Sequence, residues 1–448
     1  MSINTSHCRV RIELLHMSQL LLSRASKVIL TVFFAGTATL AAATDWLTLQ
    51  GLEPAARAVP VKLWGFIQTQ YQNDRGHPSA TGNYIPPKLI GPNLDSQSAF
   101  NVIRARLGIR GIFTPVDTKI NYFLLTEFGN NGITAPGDSL TKLTDASLTF
   151  NHLKGMHIRA GLFKYPGSEE GMRAAHISDY INFTSVTNQM MLERFSNRAF
   201  TPNIGPQPSP SDNEFNGYDK SAGAFRDVGV QLFNTYKLDG DWEFSYATMV
   251  GNGNGLNFSD NDNNKNIYIY LSTEKVFGGK GHRRQGLKFF TWSQQGKRTA
   301  DLTNDGIYNP IKYDRDRKGV GFKYLRRPWR VTAEYMEGEG MIFQGPHNPS
   351  GGIGPGAGDP SQPGNGAYAQ AHGWYFEGGY ISPRLNGAWV YVTTSITDLM
   401  VTASKWSLRR QLPAYSITLI PVFELHSIMK LLRLTLDDLP LIRAPIST

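Results

Sequence analysis

Cysteine is nearly absent from this chain: Cys8 is the only one among 448 residues. We expect Cys8 to be removed with an N-terminal export signal, so that the mature chain contains no cysteine. A chain of that kind can form neither disulfide bonds nor cysteine-based metal sites. The ten histidines are scattered, and no spacing among them suggests a metal site. The sequence therefore predicts no metal and no other cofactor.

Long hydrophobic runs are absent too. No window approaches the roughly 20 apolar residues that a membrane-spanning helix needs. The nearest run, residues 28–43, follows Arg24 and Lys27 and ends in three alanines, which is the pattern of a secretory signal. We therefore interpret residues 1–43 as a signal peptide. A membrane anchor is the alternative, and the short apolar core disfavours it.

Two further expectations concern this end of the chain. Met17 is a more natural start than Met1, because the signal otherwise has an unusually long lead. With cleavage near Ala43, residues 44–60 become a short periplasmic segment ahead of the first strand.

Neither sign of charge dominates the mature chain. Residues 1–43 contain four basic residues and one acidic residue, which leaves 41 basic and 35 acidic residues and a net charge of +6. An excess this mild suits a route for small anions better than a nucleic-acid surface, and no basic run carries interleaved aromatic residues. We therefore expect no nucleic-acid partner.

Signatures of common enzymes are also missing. The sequence contains no Walker-type phosphate loop, no His-Glu-x-x-His motif and no Gly-x-Ser-x-Gly motif. The adjacent carboxylates Glu169 and Glu170 suit acid–base chemistry by residue type. However, adjacent side chains usually diverge, and we interpret the pair as part of an exposed loop. The sequence therefore predicts no catalytic residues.

What the sequence does contain is a strand with two opposite surfaces, residues 103–113. Side chains alternate across a strand. Every odd position of this range is apolar or glycine, whereas the even positions carry Arg104, Arg106 and Arg110. Three arginines cannot face a packed core, because unpaired buried charge is too costly. The pattern is typical of a transmembrane β-barrel that encloses water, although an edge strand of a soluble sheet alternates in the same way.

The same alternation recurs along most of the chain and predicts an all-β fold, a transmembrane antiparallel β-barrel over residues 61–388. A long insertion at residues 166–222 has mixed, partly helical character, and a segment this long is usually functional or disordered; in a pore it could fold inward and narrow the channel. Twelve strand-like runs are recognised, separated alternately by tight turns and long Gly/Asn/Pro loops: residues 63–72, 101–113, 119–128, 145–151, 156–165, 226–236, 242–250, 266–274, 287–292, 317–325, 330–337 and 373–381.

Strand parity assigns a set of cationic side chains to the water-filled interior. Fixed cations there would lower the barrier for anions and raise it for cations. Three carboxylates, Glu127, Asp145 and Glu334, share this parity, so we expect the cationic surface to be partly neutralised. The cationic candidates are Arg104, Arg106, Arg110, Arg159, Arg317, Lys323 and Arg330.

Seven segments, taken together and in order, resemble one family. They are residues 104–111 (RARLGIRG), 161–171 (GLFKYPGSEEG), 191–195 (MLERF), 226–233 (RDVGVQLF), 252–255 (NGNG), 329–338 (WRVTAEYMEG) and 373–385 (GWYFEGGYISPRL). Over about residues 60–388 the chain is similar to the phosphate-selective porins of the O and P type. The resemblance implies a trimeric, sixteen-stranded barrel in the bacterial outer membrane that takes up small anions such as phosphate. It also singles out Lys164 and Glu193, which match family motif positions, although parity does not place Lys164 in the interior.

The resemblance ends near residue 386. The family would supply four more alternating strands and a terminal aromatic residue, whereas this chain ends in threonine, and residues 423–436 resemble a helix. We hypothesise that a one-base deletion near residues 386–389 has put residues 389–448 out of frame. Re-read across codons, residues 389–394 permit Leu-Gly-Leu-Arg-Tyr-Asp, which resembles a porin strand. A divergent C-terminus is the alternative, and a fresh read of the gene from codon 380 to the stop distinguishes the two.

The leading functional hypothesis is a passive outer-membrane channel for small anions, with phosphate as one candidate solute. The expected partners are those anions, the outer-membrane lipid and further copies of the chain in a homotrimer. One alternative is an outer-membrane barrel enzyme of lipase or protease type, for which no Ser/His/Asp set can be assembled. Another is a non-conducting structural barrel that is plugged by residues 166–222.

Overall fold

The fold is known from a computed structural model. All described residues belong to one compact unit, Ala42–Thr448. The predicted signal peptide, Glu193 and residues 421–448 lie outside the described part. The structure describes residues 59–73, 77–78, 84–85, 98–129, 141–178, 181, 183–191, 225–256, 260, 262–279, 284–300, 311–342, 368, 370–380, 389–403 and 406–420.

Strands make up most of the described chain. Fourteen of them form one sheet: β1 (Lys62–Asn73), β4 (Ser98–Phe113), β5 (Asp117–Glu127), β6 (Lys142–Phe150), β7 (His157–Lys164), β8 (Arg226–Lys237), β9 (Trp242–Gly251), β10 (Asn266–Gly278), β11 (Gln285–Gln295), β14 (Asp316–Arg326), β15 (Trp329–Glu339), β16 (Gln370–Tyr380), β17 (Trp389–Ala403) and β18 (Trp406–Ile420). Two small ribbons stand apart from it: β2 (His77–Pro78) with β3 (Tyr84–Ile85), and β12 (Lys297–Ala300) with β13 (Ile311–Asp314).

Each strand of the large sheet pairs antiparallel with its neighbour in sequence order, so the sheet is an up-and-down meander. Tight turns join alternate strands, as at residues 114–116 between β4 and β5. Another such turn contains Gly155, whose φ of +81° favours glycine. The predicted all-β, antiparallel barrel-type fold is confirmed, and all twelve predicted strands are present with ends displaced by a few residues.

Side-chain burial alternates along the strands, which gives the sheet an apolar outer face. In β10, Tyr268 and Tyr270 are buried, whereas Ile267 and Ile269 are 46% and 45% exposed. Large apolar side chains in this position are stable where lipid covers them, as on a transmembrane barrel. Other members of the outer face are Leu63, Ile67, Leu107, Ile109, Val230, Val250, Phe289, Val320, Trp374 and Phe376.

The opposite, inner face carries many charged side chains beside buried aromatic ones. Among the described residues, eleven arginine and lysine side chains are buried, against eight buried aspartate and glutamate side chains. Buried charges must be paired or hydrogen-bonded to be tolerated. The charged part of the inner face therefore contains ion pairs and hydrogen-bonded cations, with a small positive excess among the described residues.

One residue of the two-faced strand departs from the predicted parity. Ile103, which the alternation assigns to the apolar outer face, is only 1% exposed. The register between β1 and β4 shifts at Gln68 and Thr69, whose partners are Arg104 and Val102, so Ile103 is an extra residue in β4. Such a bulge moves a side chain to the other face, and that part of the prediction is wrong.

The part of the 166–222 insertion that the structure describes is helical in two short stretches. We call residues 166–178, 181 and 183–191 the inserted segment. It contains helix α1 (Glu169–Met172), a 3₁₀ turn (Ala175–Ile177) and helix α2 (Ser185–Met190). No helix among the described residues is long and apolar enough to cross a membrane.

The sheet continues beyond the range that the sequence predicts. The alternating apolar and polar strand pattern of the sequence ends near residue 386. Even so, β17 pairs with β16, and β18 pairs with β17. The described sheet therefore has two more strands than the twelve predicted ones. The hypothesis that residues 389–448 are out of frame stays a prediction.

Candidate functional site

The inserted segment packs against the inner face of the sheet through apolar side chains. Met172, Val186 and Met190 are each at most 1% exposed and belong to one buried cluster with Phe233 and Tyr268 of the sheet. Burying a side chain of this size stabilises the folded state by roughly 1.5–3 kcal/mol. This packing places the inserted segment on the inner face of the sheet, and the narrowing of a channel by the insertion stays a prediction.

At its first helix the inserted segment carries a carboxylate that two lysines of the sheet approach. The Glu169 Oε2 atom lies 3.0 Å from Nζ of Lys288 in β11, and Oε1 lies 3.6 Å from Nζ of Lys323 in β14. The hydroxyl of Tyr270 donates to the same Oε2 atom over 3.2 Å. The pKa of Glu169 is lowered to about 2, because these lysines outweigh the burial that would raise it.

The neighbouring carboxylate, Glu170, connects the two helices of the inserted segment. It accepts hydrogen bonds from the backbone N–H and hydroxyl of Thr184, at 2.8 and 2.7 Å, and from the hydroxyl of Thr187 at 2.5 Å. Glu169 and Glu170 are only 4% and 3% exposed, so the prediction of an exposed loop is wrong. Burial is possible because each carboxylate has partners outside its own helix: Glu169 in the sheet, and Glu170 at the start of the second helix.

Two cations hold the first helix on the sheet. Arg173 donates to the Glu377 carboxylate of β16, with Nη2 and Oε2 3.3 Å apart. Lys164, the last residue of β7, donates to the carbonyl oxygens of Gly171 and Arg173 at 2.8 and 2.7 Å. Lys164 is therefore buried in the interior, contrary to the parity prediction, because the chain turns inward where β7 ends.

The end of the inserted segment is held by arginines of β14 and its preceding residue. The Arg317 Nε atom donates to the Met190 carbonyl oxygen over 2.7 Å. Its Nη atoms donate to the carbonyl oxygens of Gly340 and Met341, each over 2.9 Å. Arg315 donates to the Met191 carbonyl oxygen over 3.3 Å. A guanidinium with several donors can bridge carbonyl groups from separate parts of the chain.

The arginines of β4 differ in their contacts. Arg104 donates to Oε1 of Gln68 and to the Ile181 carbonyl oxygen, at 2.7 and 2.8 Å, and thus also contacts the inserted segment. Arg106 forms an ion pair with Glu127 of β5, with Nε and Oε2 2.6 Å apart. Arg110 is half-buried and lies over the Trp64 ring, 5.9 Å from its centroid.

The other predicted interior cations lie on the inner face as parity predicts, but not in one group. Arg159 of β7 is fully buried, donates to the Thr149 hydroxyl over 3.2 Å and lies 4.6 Å above the Phe233 ring centroid. Arg330 is 7% exposed in β15. The Lys323 side chain is 26% exposed beside Glu169.

A cavity of about 190 Å³ lies between the inner face and the 3₁₀ turn of the inserted segment. Five of its lining side chains are cationic, and Asp145 is the one carboxylate among the described residues that line it. Asp145 pairs with Arg226, with Oδ2 and Nη2 2.8 Å apart. The lining residues are Lys62, Trp64, Phe66, Arg106, Arg110, Phe123, Leu125, Asp145, Lys164, Ala174, Ala175, His176 and Arg226.

This cavity brings together three of the predicted site residues, namely Arg106, Arg110 and Lys164. Arg317, Lys323 and the remaining candidates lie elsewhere on the inner face. The sequence reasoning missed Lys62 and Arg226, which lie at strand ends where alternation gives little guidance. Lys62 does share the parity of Trp64 and Phe66, and that signal could have identified it.

We expect the stability of the folded chain to fall as pH rises from about 4.5 to about 7. Burial first, and the Glu377 carboxylate second, raise the pKa of Glu170 from 4.5 to about 7. A carboxyl group with a raised pKa binds its proton more tightly in the folded chain, so stability decreases through this window and is constant above it.

The Glu170→Gln variant should show a smaller decrease, measured as the urea-unfolding free energy of the lipid-embedded protein across that range. Glu339→Gln, which removes an exposed carboxylate, is the matched control and should keep the wild-type slope. Equal slopes for wild type and Glu170→Gln would contradict the assignment.

Comparisons with known proteins do not assign the chain to a family. No protein-family model and no curated protein matches the chain. Three solved structures to which it is similar are an anion-selective porin from Comamonas acidovorans, the outer membrane channel DcaP of Acinetobacter baumannii and OmpT, an outer membrane protein of Vibrio cholerae. Their sequence identity is 12% in each case, and their TM-scores are 0.34, 0.35 and 0.30. The matches cover 79%, 81% and 80% of this chain and 95%, 97% and 94% of those chains. Similarity at this level does not establish a function.

Proposed function

We propose that this chain is a bacterial outer-membrane channel through which small anions diffuse passively. The observation that carries the proposal is the cavity on the inner face, whose described lining has five cationic side chains and one carboxylate. Fixed cations along a narrow aqueous path attract anions and repel cations. The many ion pairs elsewhere on the inner face limit the excess of positive charge, so we expect a preference for anions and not strict exclusion of cations.

The outer face supports the membrane part of the proposal. Exposed Ile267, Ile269 and Leu271 follow one another along one face of β10 and suit contact with lipid chains. We further propose that the chain assembles as a homotrimer, belongs with the phosphate-selective porins of the O and P type, and accepts phosphate among its solutes. These finer proposals rest on the resemblance of the seven sequence segments.

The ion preference can be tested by the reversal potential in a potassium chloride gradient across a planar bilayer. We expect wild type to prefer chloride and the double variant Lys62→Gln, Arg110→Gln to lose much of that preference, because it removes two of the five cavity cations. The control variant Lys119→Gln, Lys318→Gln removes two exposed charges outside the cavity and should behave like wild type. A cation-preferring wild-type channel would exclude the proposal.

A non-conducting structural barrel is the second candidate, because the inserted segment is so thoroughly buried. Met172, Val186 and Met190 leave almost no exposed surface where they meet the sheet. Absence of conductance in well-folded protein would favour this candidate. We propose a non-catalytic role in both cases, and measurable ester or peptide hydrolysis by the purified protein would instead favour a barrel enzyme.

A further inference from the structure

The cavity on the inner face has a second property besides its charge: much of its wall is aromatic. The rings of Trp64 and Phe66 lie 6.5 Å apart at an interplanar angle of 19°. Phe123 lies 5.9 Å from Trp64, and His176 of the inserted segment lies 5.3 Å from Trp64 and 5.5 Å from Phe66. Small inorganic anions gain nothing from such a wall, because they have no apolar surface to bury.

The arrangement of the strands explains how these rings form one wall. Trp64 and Phe66 are two residues apart in β1 and therefore point to the same face. A Cβ atom at Gly108 of the neighbouring β4 would lie 2.8 Å from the Trp64 indole nitrogen. Glycine at that position thus lets the indole ring lie close against the sheet and leaves the space above it open.

The cations are placed beside this aromatic wall. Arg110 lies 5.9 Å from the Trp64 ring centroid, and Arg106 lies 5.8 Å from that of Phe66. Arg106 pairs with Glu127, and Arg226 pairs with Asp145. Five of the described side chains that line the cavity are cationic, so an anionic group of a ligand would meet cations beside the aromatic wall.

The size of the cavity limits the ligand. A cavity of about 150 Å³ is enough to hold benzene, and this one measures about 190 Å³. We propose that the cavity binds a single-ring aromatic carboxylate, with the ring against Trp64 and Phe66 and the carboxylate towards Lys62 and Arg110. The inference adds a solute class to the proposed anion channel. Transport of this solute rests on the proposed function, whereas its binding in the cavity does not.

Binding can be measured by titration calorimetry on the full-length, detergent-folded protein, with benzoate as the probe and acetate and inorganic phosphate as comparisons. We expect benzoate to bind at least about tenfold more tightly than acetate. Phe66→Leu should weaken benzoate binding about three- to tenfold, the usual value of one aromatic contact, and leave acetate binding unchanged. Arg110→Gln should weaken the binding of both carboxylates.

Phe289→Leu is the matched control, because Phe289 is 47% exposed on the outer face. It should bind benzoate like wild type. Benzoate that partitions into the detergent contributes equally to both titrations and does not affect their comparison. Equal affinity for benzoate and acetate, tighter binding of phosphate than of benzoate, or an unchanged affinity in Phe66→Leu would each overturn the inference. The calorimetric result does not depend on conductance. Failure of benzoate binding in an anion-preferring channel is therefore distinguishable from failure of the channel proposal itself.

Discussion

Arg317→Met should lower the free energy of unfolding by about 3 kcal/mol and raise the single-channel conductance. The buried guanidinium donates to carbonyl oxygens of Met190 in the inserted segment and of Gly340 and Met341, which directly follow β15. A hydrogen bond to a charged group contributes about 1.5–3 kcal/mol, and a buried acceptor left without its donor adds a desolvation cost. Methionine fills similar space but donates no hydrogen bond.

The conductance should rise because the second helix of the inserted segment loses the hydrogen bond that holds its end on the sheet and becomes freer to move. Arg326→Met is the matched control, since Arg326 lies at the exposed end of the same strand. It should change stability by no more than about 0.5 kcal/mol. Urea unfolding in lipid vesicles measures the stability, and bilayer recordings measure the single-channel conductance. If Arg317→Met and Arg326→Met were equally stable, the role assigned to Arg317 would be wrong.

Glu334→Leu should destabilise the chain by a similar amount, about 3 kcal/mol. Its carboxylate accepts hydrogen bonds from the Trp292 indole N–H, the Tyr375 hydroxyl and the Ser168 hydroxyl, at 2.7, 2.6 and 3.1 Å. Leucine would leave these buried donors without their acceptor. Since Ser168 immediately precedes the first helix of the inserted segment, the start of the segment should also be loosened.

Two comparisons make the Glu334 prediction specific. Glu334→Gln keeps one acceptor oxygen and should cost less than Glu334→Leu. Glu337→Leu, three residues along β15, removes an exposed carboxylate that pairs with Lys318 at 2.6 Å, and should cost no more than about 1 kcal/mol. Comparable losses for Glu334→Leu and Glu337→Leu, measured by urea unfolding, would show that Glu334 does not organise this cluster.

The twelve strands could be predicted from the sequence because one face of each strand is apolar and the other polar. That alternation places Arg104 and Arg106 inward and Leu107 and Ile109 outward without any knowledge of strand pairing. It fails at Ile103, where a bulge adds a residue to β4. Bulges depend on the register with a neighbouring strand, which local periodicity does not contain.

The environment of the insertion could not be predicted in the same way. The sequence analysis places Glu169 in an exposed loop, because the side chains of adjacent residues usually diverge. In the fold it lies 3.0 Å from Lys288, a residue 119 positions away. The burial of Lys164 could not be predicted for the same reason, since its partners are carbonyl groups of the segment that turns inward after β7. The aromatic cavity likewise requires β1, β5 and the inserted segment to meet.

The measurement that tests the central claim most directly is the current carried by wild-type protein in a planar bilayer under a potassium chloride gradient. The account predicts a stable conductance whose reversal potential has the sign of chloride preference. A reversal potential of the opposite sign, or no conductance from well-folded protein, would contradict an anion-preferring channel.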